Sequence, residues 1–106
     1  MEADYFIVET TTETNEEAEN LAEIMVKSRL AGCAQVQGPF TSFYWWKGEL
    51  TKSKEWKCAF KTSRKNYHPL EDEIRKVHSY ETPEIAAIPL VKGSKSYLNW
   101  LSQELD

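Results

Sequence analysis

Four consecutive aromatics, Phe43-Tyr44-Trp45-Trp46, constrain this chain more than any other stretch. In an extended segment successive side chains point to opposite faces. Phe43 and Trp45 then share one face, and Tyr44 and Trp46 share the other. Each ring side chain covers roughly 150–250 Å², so each face carries about 300–500 Å² of apolar surface. Ordinary monomers rarely expose more than that in one patch. With 106 residues, the chain suits one domain (residues 1–106) with one core. That core covers one face. The expected cover for the other is a second copy of the chain.

Two charge blocks flank this run. Glu9, Glu13, Glu16, Glu17, Glu19 and Glu23 crowd the first quarter, and Lys47, Lys52, Lys54, Lys57, Lys61, Arg64 and Lys65 crowd the middle. The net charge of −4 argues against nucleic acid as a partner, which calls for a basic surface. The basic block reads as a solvated face or as a wall that attracts a small anionic ligand. No apolar stretch approaches the ~18 residues of a membrane helix, so no membrane partner is expected. No signal-peptide pattern opens the chain, which sets a cytoplasmic expectation. Cys33 and Cys58 form neither a CxxC nor a zinc-finger spacing, and a disulfide between them is left open.

The elements alternate. Tyr5-Phe6-Ile7-Val8 suits a buried strand within Asp4 to Thr11. Thr14-Asn15-Glu16-Glu17 is a capping box, and Ala18, Leu21, Ala22 and Met25 follow at helical spacing. That helix is expected to run to about Ala31 and to stop at Gly32. An extended segment runs from Cys33 to about Lys47, with a kink or bulge at Gly38-Pro39. Lys47-Gly48-Glu49 opens a hairpin with its tip at Thr51-Lys52-Ser53. Trp56, Cys58 and Phe60 alternate along the return strand. Tyr67, Leu70, Ile74 and Val77 mark a second helix, with Pro69 in its first turn. Glu84 to Val91 is the last long strand, and Ser94 caps a C-terminal helix carrying Tyr97, Leu98, Trp100, Leu101 and Leu105. The order β-α-β-β-α-β plus a helix is the ferredoxin-like arrangement, an α+β fold with one sheet face lacking helices.

Four local patterns occur along this frame. They are Leu30-Ala31-Gly32-Cys33-Ala34, Thr41-Ser42-Phe43-Tyr44-Trp45-Trp46-Lys47-Gly48, Phe60-Lys61-Thr62 and His78-Ser79-Tyr80-Glu81-Thr82-Pro83-Glu84. In this order the set resembles the CutA family of divalent-cation tolerance proteins, and Gly93 with Tyr97-Leu98-Asn99-Trp100-Leu101 fits as well. The resemblance implies a ferredoxin-like subunit in a tight homotrimer, with an assembly similar to the PII signalling proteins. It also implies a link to copper tolerance and divalent-metal binding. Two positions depart from the family pattern. Ser79 stands where the family usually has Pro, and Glu9-Thr10-Thr11-Thr12 lacks the cysteine that some bacterial members carry after the first strand.

Cys33 and His78 are the candidate metal ligands, since a thiolate and an imidazole suit copper or zinc. Two donors do not close a tetrahedral site; Glu81, Glu84 or a neighbouring subunit would have to complete it. The bland alternatives are a small buried Cys33 and a His78 that satisfies a helix end. A second cluster takes Trp46 and Tyr80 as apolar walls and Lys61 and Glu84 as polar anchors for a small ligand in an intersubunit cleft. The bland alternative there is a structural Lys61–Glu84 ion pair. No nucleophile elbow, HExxH or phosphate-cradling Gly loop is present, so an enzyme is not expected.

Overall fold

A computed structural model describes residues 3–106. The elements are β1 (Tyr5–Thr12), α1 (Asn15–Lys27), β2 (Cys33–Trp46), β3 (Glu49–Ser63), α2 (Tyr67–Val77), β4 (Ala86–Pro89) and α3 (Lys95–Glu104). One sheet has the order β2-β3-β1-β4, with every neighbouring pair antiparallel. This is the ferredoxin-like α+β arrangement that the element order implied. No helix among the described residues is long and apolar enough to cross a membrane.

Strand register separates the two sheet faces. Val8, Phe60 and Ala34 align across three strands, as do Thr10, Cys58 and Val36. This side packs against Ala18, Leu21 and Met25 of α1 and Leu70 and Ile74 of α2 to form the core. The opposite face carries Ile7, Cys33 and Lys61 in one row and Glu9, Gln35 and Ala59 in the next. Helix α3 reaches one end of that face: Tyr97 contacts Cys33, and Ser102 contacts Tyr5.

Helix α1 starts where expected, with the Glu17 amide donating to the Thr14 hydroxyl at 3.1 Å. It stops earlier than expected, at Lys27. The left-handed residue is Arg29 (φ 62°), and the amides of Leu30 and Ala31 both return to the Met25 carbonyl. Gly32 serves packing instead: a Cβ there would sit 2.4 Å from Cδ1 of Leu101. The hairpin tip also differs. Lys47 (φ 49°) and Gly48 (φ 81°) alone make the turn, as in a type I′ connection, and Thr51 to Ser53 pair within the ladder. The last strand is shorter than read, four residues rather than eight, and pairs only with β1, so Pro89 lies on an edge strand. The expected irregularity at Gly38-Pro39 is present as a register shift between Gln37 and Phe40.

Strand β1 ends at the Thr12↔Trp56 pair, whereas β2 and β3 continue through seven further pairs to Trp46↔Glu49. The aromatic run lies on this two-stranded arm. Phe43 and Trp45 are 65% and 73% exposed, against 37% and 44% for Tyr44 and Trp46, so the predicted alternation holds and one face is the more naked.

Cys58 lies at the centre of the core, and burial pushes its thiol from the ordinary 9.0 up to about 12. Between those values the unfolded chain has lost this proton while the folded chain keeps it. Stability therefore falls as pH rises through that window. Urea unfolding at pH 8 and at pH 10.5 should show the loss, and Cys58→Ala should make it smaller. An equal loss in the variant would remove Cys58 as its cause.

Candidate functional site

Because β1 stops at Thr12, the connection from α2 to β4 can come alongside the arm. Its course begins at His78, which leaves the helix in extended conformation. The imidazole is fully buried. Its Nδ1 lies 3.0 Å from the Tyr80 amide, which can only donate, so Nδ1 is the acceptor. Nε2 therefore carries the proton and donates to the Thr11 carbonyl at 2.8 Å. Both ring nitrogens are occupied, and the neutral Nε2–H tautomer satisfies both. Glu17 fixes the next residue, accepting from the Ser79 amide and the Ser79 hydroxyl, each at 2.9 Å. The capping box is thus half built: Thr14 caps the helix, but the Glu17 carboxylate holds the loop.

Tyr80 then turns toward the arm. Its ring lies 4.9 Å from that of His78, and its hydroxyl donates to Glu55 Oε2 at 2.8 Å. Glu55 is only 5% exposed. Desolvation, then the hydrogen bond to Glu55 and its negative charge, raise the Tyr80 phenol far above its ordinary range. At neutral pH it is a fixed donor. Between the arm and this loop lies a cleft of about 920 Å³ whose lining includes Tyr44, Trp46, Glu55, Tyr80 and Glu84.

Three of the four residues assigned to a ligand cluster, Trp46, Tyr80 and Glu84, therefore line one cleft. Lys61 does not. It sits in the sheet row of Ile7 and Cys33 and donates to Gln35 Oε1 at 2.9 Å. The two candidate metal ligands also stand apart within one chain. Cys33 opens β2 in that same row, with its sulfur 3.7 Å from the Tyr97 hydroxyl. His78 meets β1 at Thr11, four residues from Ile7, on the order of 13 Å by strand rise alone. Among the described residues, no three His, Cys, Asp or Glu side chains are arranged to hold a metal ion. One chain does not present the donors of a closed tetrahedral site.

The sequence left Glu55 unremarked and marked Glu17 as part of a capping box. For Glu17 the spacing to Thr14 was a correct signal for position and silent about the carboxylate. For Glu55 no local pattern marks the partner, since Tyr80 lies 25 residues away.

Comparison with known proteins decides the family. The model of the CutA1 divalent ion tolerance protein matches residues 6–104. The chain belongs to the CutA1 family. It is 34% identical over 96 residues to the divalent-cation tolerance protein CutA of Archaeoglobus fulgidus, covering 91% of this chain and 93% of that one. Among solved structures, the Thermus thermophilus divalent cation tolerance protein superposes with a TM-score of 0.93 at 31% identity, covering 96% of this chain and 99% of the other. The Archaeoglobus fulgidus structure gives 0.92 at 32% identity, with the same coverage. That neighbour is described as a periplasmic divalent cation tolerance protein, which overturns the cytoplasmic setting expected from the sequence. The family is named for tolerance of divalent ions rather than for a reaction.

Tyr80→Phe removes a side-chain donor to the buried Glu55 carboxylate. It should cost about 1.5–3 kcal/mol in urea unfolding. In a Glu55→Gln background the same substitution should cost clearly less. Equal costs in the two backgrounds would mean that the pair is not coupled.

Proposed function

We propose that this member of the divalent-cation tolerance family is a homotrimeric, non-catalytic binding protein for a divalent metal ion, with copper as the first metal to test. The observation that carries this reading is the family match, which spans residues 6–104 of the chain. The trimer is supported by the arm: it is two-stranded, exposes Phe43, Trp45 and Leu50, and among the described residues has no third strand beside it. A two-stranded ribbon is at best marginally stable alone, so a neighbouring copy supplies the missing packing. The archaeal neighbour's description supports a periplasmic setting.

For the metal, Cys33 and His78 remain the proposed donors, each drawing its remaining ligands from another copy. His78 has the harder task, because metal binding at either nitrogen displaces the Thr11 or the Tyr80 backbone contact. Cys33 is half-buried, and its sulfur meets the Tyr97 phenol. Signalling by a small anion receives less support. Lys57 pairs with Glu9 at 3.4 Å, Lys61 donates to Gln35 at 2.9 Å and Arg64 pairs with Asp4 at 3.2 Å, so these three members of the basic block already have partners.

Calorimetric titration with copper should give saturable binding, weakened at least about tenfold by Cys33→Ala. His78→Gln, which keeps a donor available for Thr11, should weaken it as well. Unchanged affinity and stoichiometry in both variants would remove these residues as ligands. Light scattering should give three subunit masses at micromolar concentration, and Trp45→Glu should shift the protein toward monomer. A wild-type monomer would sink the trimer.

A further inference from the structure

Among the described residues, α3 is the one helix on the sheet face that α1 and α2 leave open. Tyr97 meets Cys33 of β2 and Ser102 meets Tyr5 of β1, so the helix crosses the end of that face over β3. It is lightly held there. Leu101 is its one fully buried residue, and it stands outside the core cluster beneath α1 and α2. Its side chain seats in the space that Gly32 leaves by having no Cβ. A segment with so little buried apolar surface opens locally at lower free energy than the core unfolds.

The two ends of α3 differ. Val91 to Ser94, which lead into it, are exposed and without regular structure. The far end is clasped by polar groups of two other elements. Arg29 has φ 62°, a left-handed conformation that residues other than glycine seldom hold without support from their surroundings. Part of that support comes from the end of α3. Arg29 Nη1 donates to the Glu104 carboxylate at 3.0 Å and to the Glu104 carbonyl at 3.2 Å. The Arg29 carbonyl accepts from the Asp106 amide at 3.1 Å. Buried Asn66 joins both sides: its side-chain nitrogen donates to the Asp106 carbonyl at 3.2 Å and to the Arg29 carbonyl at 3.4 Å. A loose connection at one end and a polar clasp at the other is the arrangement of a hinged cover. Beneath it lies Cys33, half-buried, with its sulfur against the Tyr97 hydroxyl.

We propose that α3 is a hinged cover that controls access to the Cys33 sulfur, with Arg29 and Glu104 as its catch. The cover itself does not depend on a metal. Its consequence for copper, that opening of α3 sets how fast the ion reaches the sulfur, rests on the assignment of Cys33 as a donor.

The two cysteines supply the test. Cys58 lies in the core on the other side of the sheet, so its labelling reports global unfolding, whereas labelling of Cys33 reports the cover. The full chain, free of metal, is treated with iodoacetamide, and the rate at each cysteine is followed by peptide mass spectrometry. Wild-type Cys33 should react more slowly than free cysteine. Arg29→Gly suits the left-handed position and removes the catch. It should speed Cys33 about two- to fivefold, the scale of an exposed ion pair, and Glu104→Gln should act in the same direction. Leu101→Ala empties the seat at Gly32 and should speed Cys33 about tenfold or more. In each variant Cys58 should keep its wild-type rate. Unchanged Cys33 labelling in both Arg29→Gly and Leu101→Ala overturns the proposal. So does wild-type labelling as fast as that of free cysteine, or an equal acceleration at Cys58. Faster Cys33 labelling in a protein that binds no copper supports the cover and removes only the metal assignment.

Discussion

The pairing of β1 with β3 governs how the rest of this molecule is laid out. Strand β1 is the central partner of β3 and β4, and its eight residues fix how far the core between sheet and helices can extend. Over that length Val8, Thr10, Cys58 and Phe60 lie under α1 and α2, and burial is complete. Beyond Thr12 the sheet narrows to β2 and β3. The chain gains an arm there and loses a core. Each later feature follows from this mismatch of strand lengths: exposed aromatics, a cleft at the arm's root, and a loop that crosses to reach Glu55.

That loop is held by polar contacts rather than by apolar packing. His78, Glu17 and Tyr80 each satisfy a group from another element: a β1 carbonyl, a loop amide and hydroxyl, and a β3 carboxylate. Such groups are costly to bury without partners, so the network specifies one loop course more sharply than hydrophobic contacts would. Ser79 has a part in this. A proline at that position, usual in the family, has no amide hydrogen to offer Glu17, and no hydroxyl. The departure from the family pattern therefore coincides with two hydrogen bonds, both to the carboxylate that α1 presents.

Much of the fold was legible because its signals are local. Thr14 and Ser94 cap their helices, Leu70 and Ile74 face the core, and Phe43 to Trp46 alternate as an extended segment must. The misjudged boundaries share one cause, a tertiary contact that overrides a local sign. Gly32 looked like a helix stop and instead admits Leu101. Thr51 to Ser53 looked like a turn and are carried as strand by pairing with β2. Glu84 and Ile85 looked like strand and lie outside it, since β4 pairs only from Ala86 to Pro89. Of the four residues that the family patterns mark as a ligand cluster, Trp46, Tyr80 and Glu84 line one cleft of the chain. Lys61 stands apart from them within one chain, in the sheet row of Ile7 and Cys33, and its neighbours in sequence say nothing about which row it joins.

Charge shows the same limit in its sharpest form. A basic block around Lys57, Lys61 and Arg64 suggests an anion when read along the chain. In three dimensions strand pairing sets Glu9 beside Lys57 and Gln35 beside Lys61, and Arg64 meets Asp4. The carboxylates that line the cleft come from three separate stretches, at Glu13, Glu55 and Glu81 with Glu84. No window of sequence contains them all, yet they meet at the root of the arm. Folding thus regroups the charges, so that acidic side chains from separate stretches gather beside the lysines of the arm.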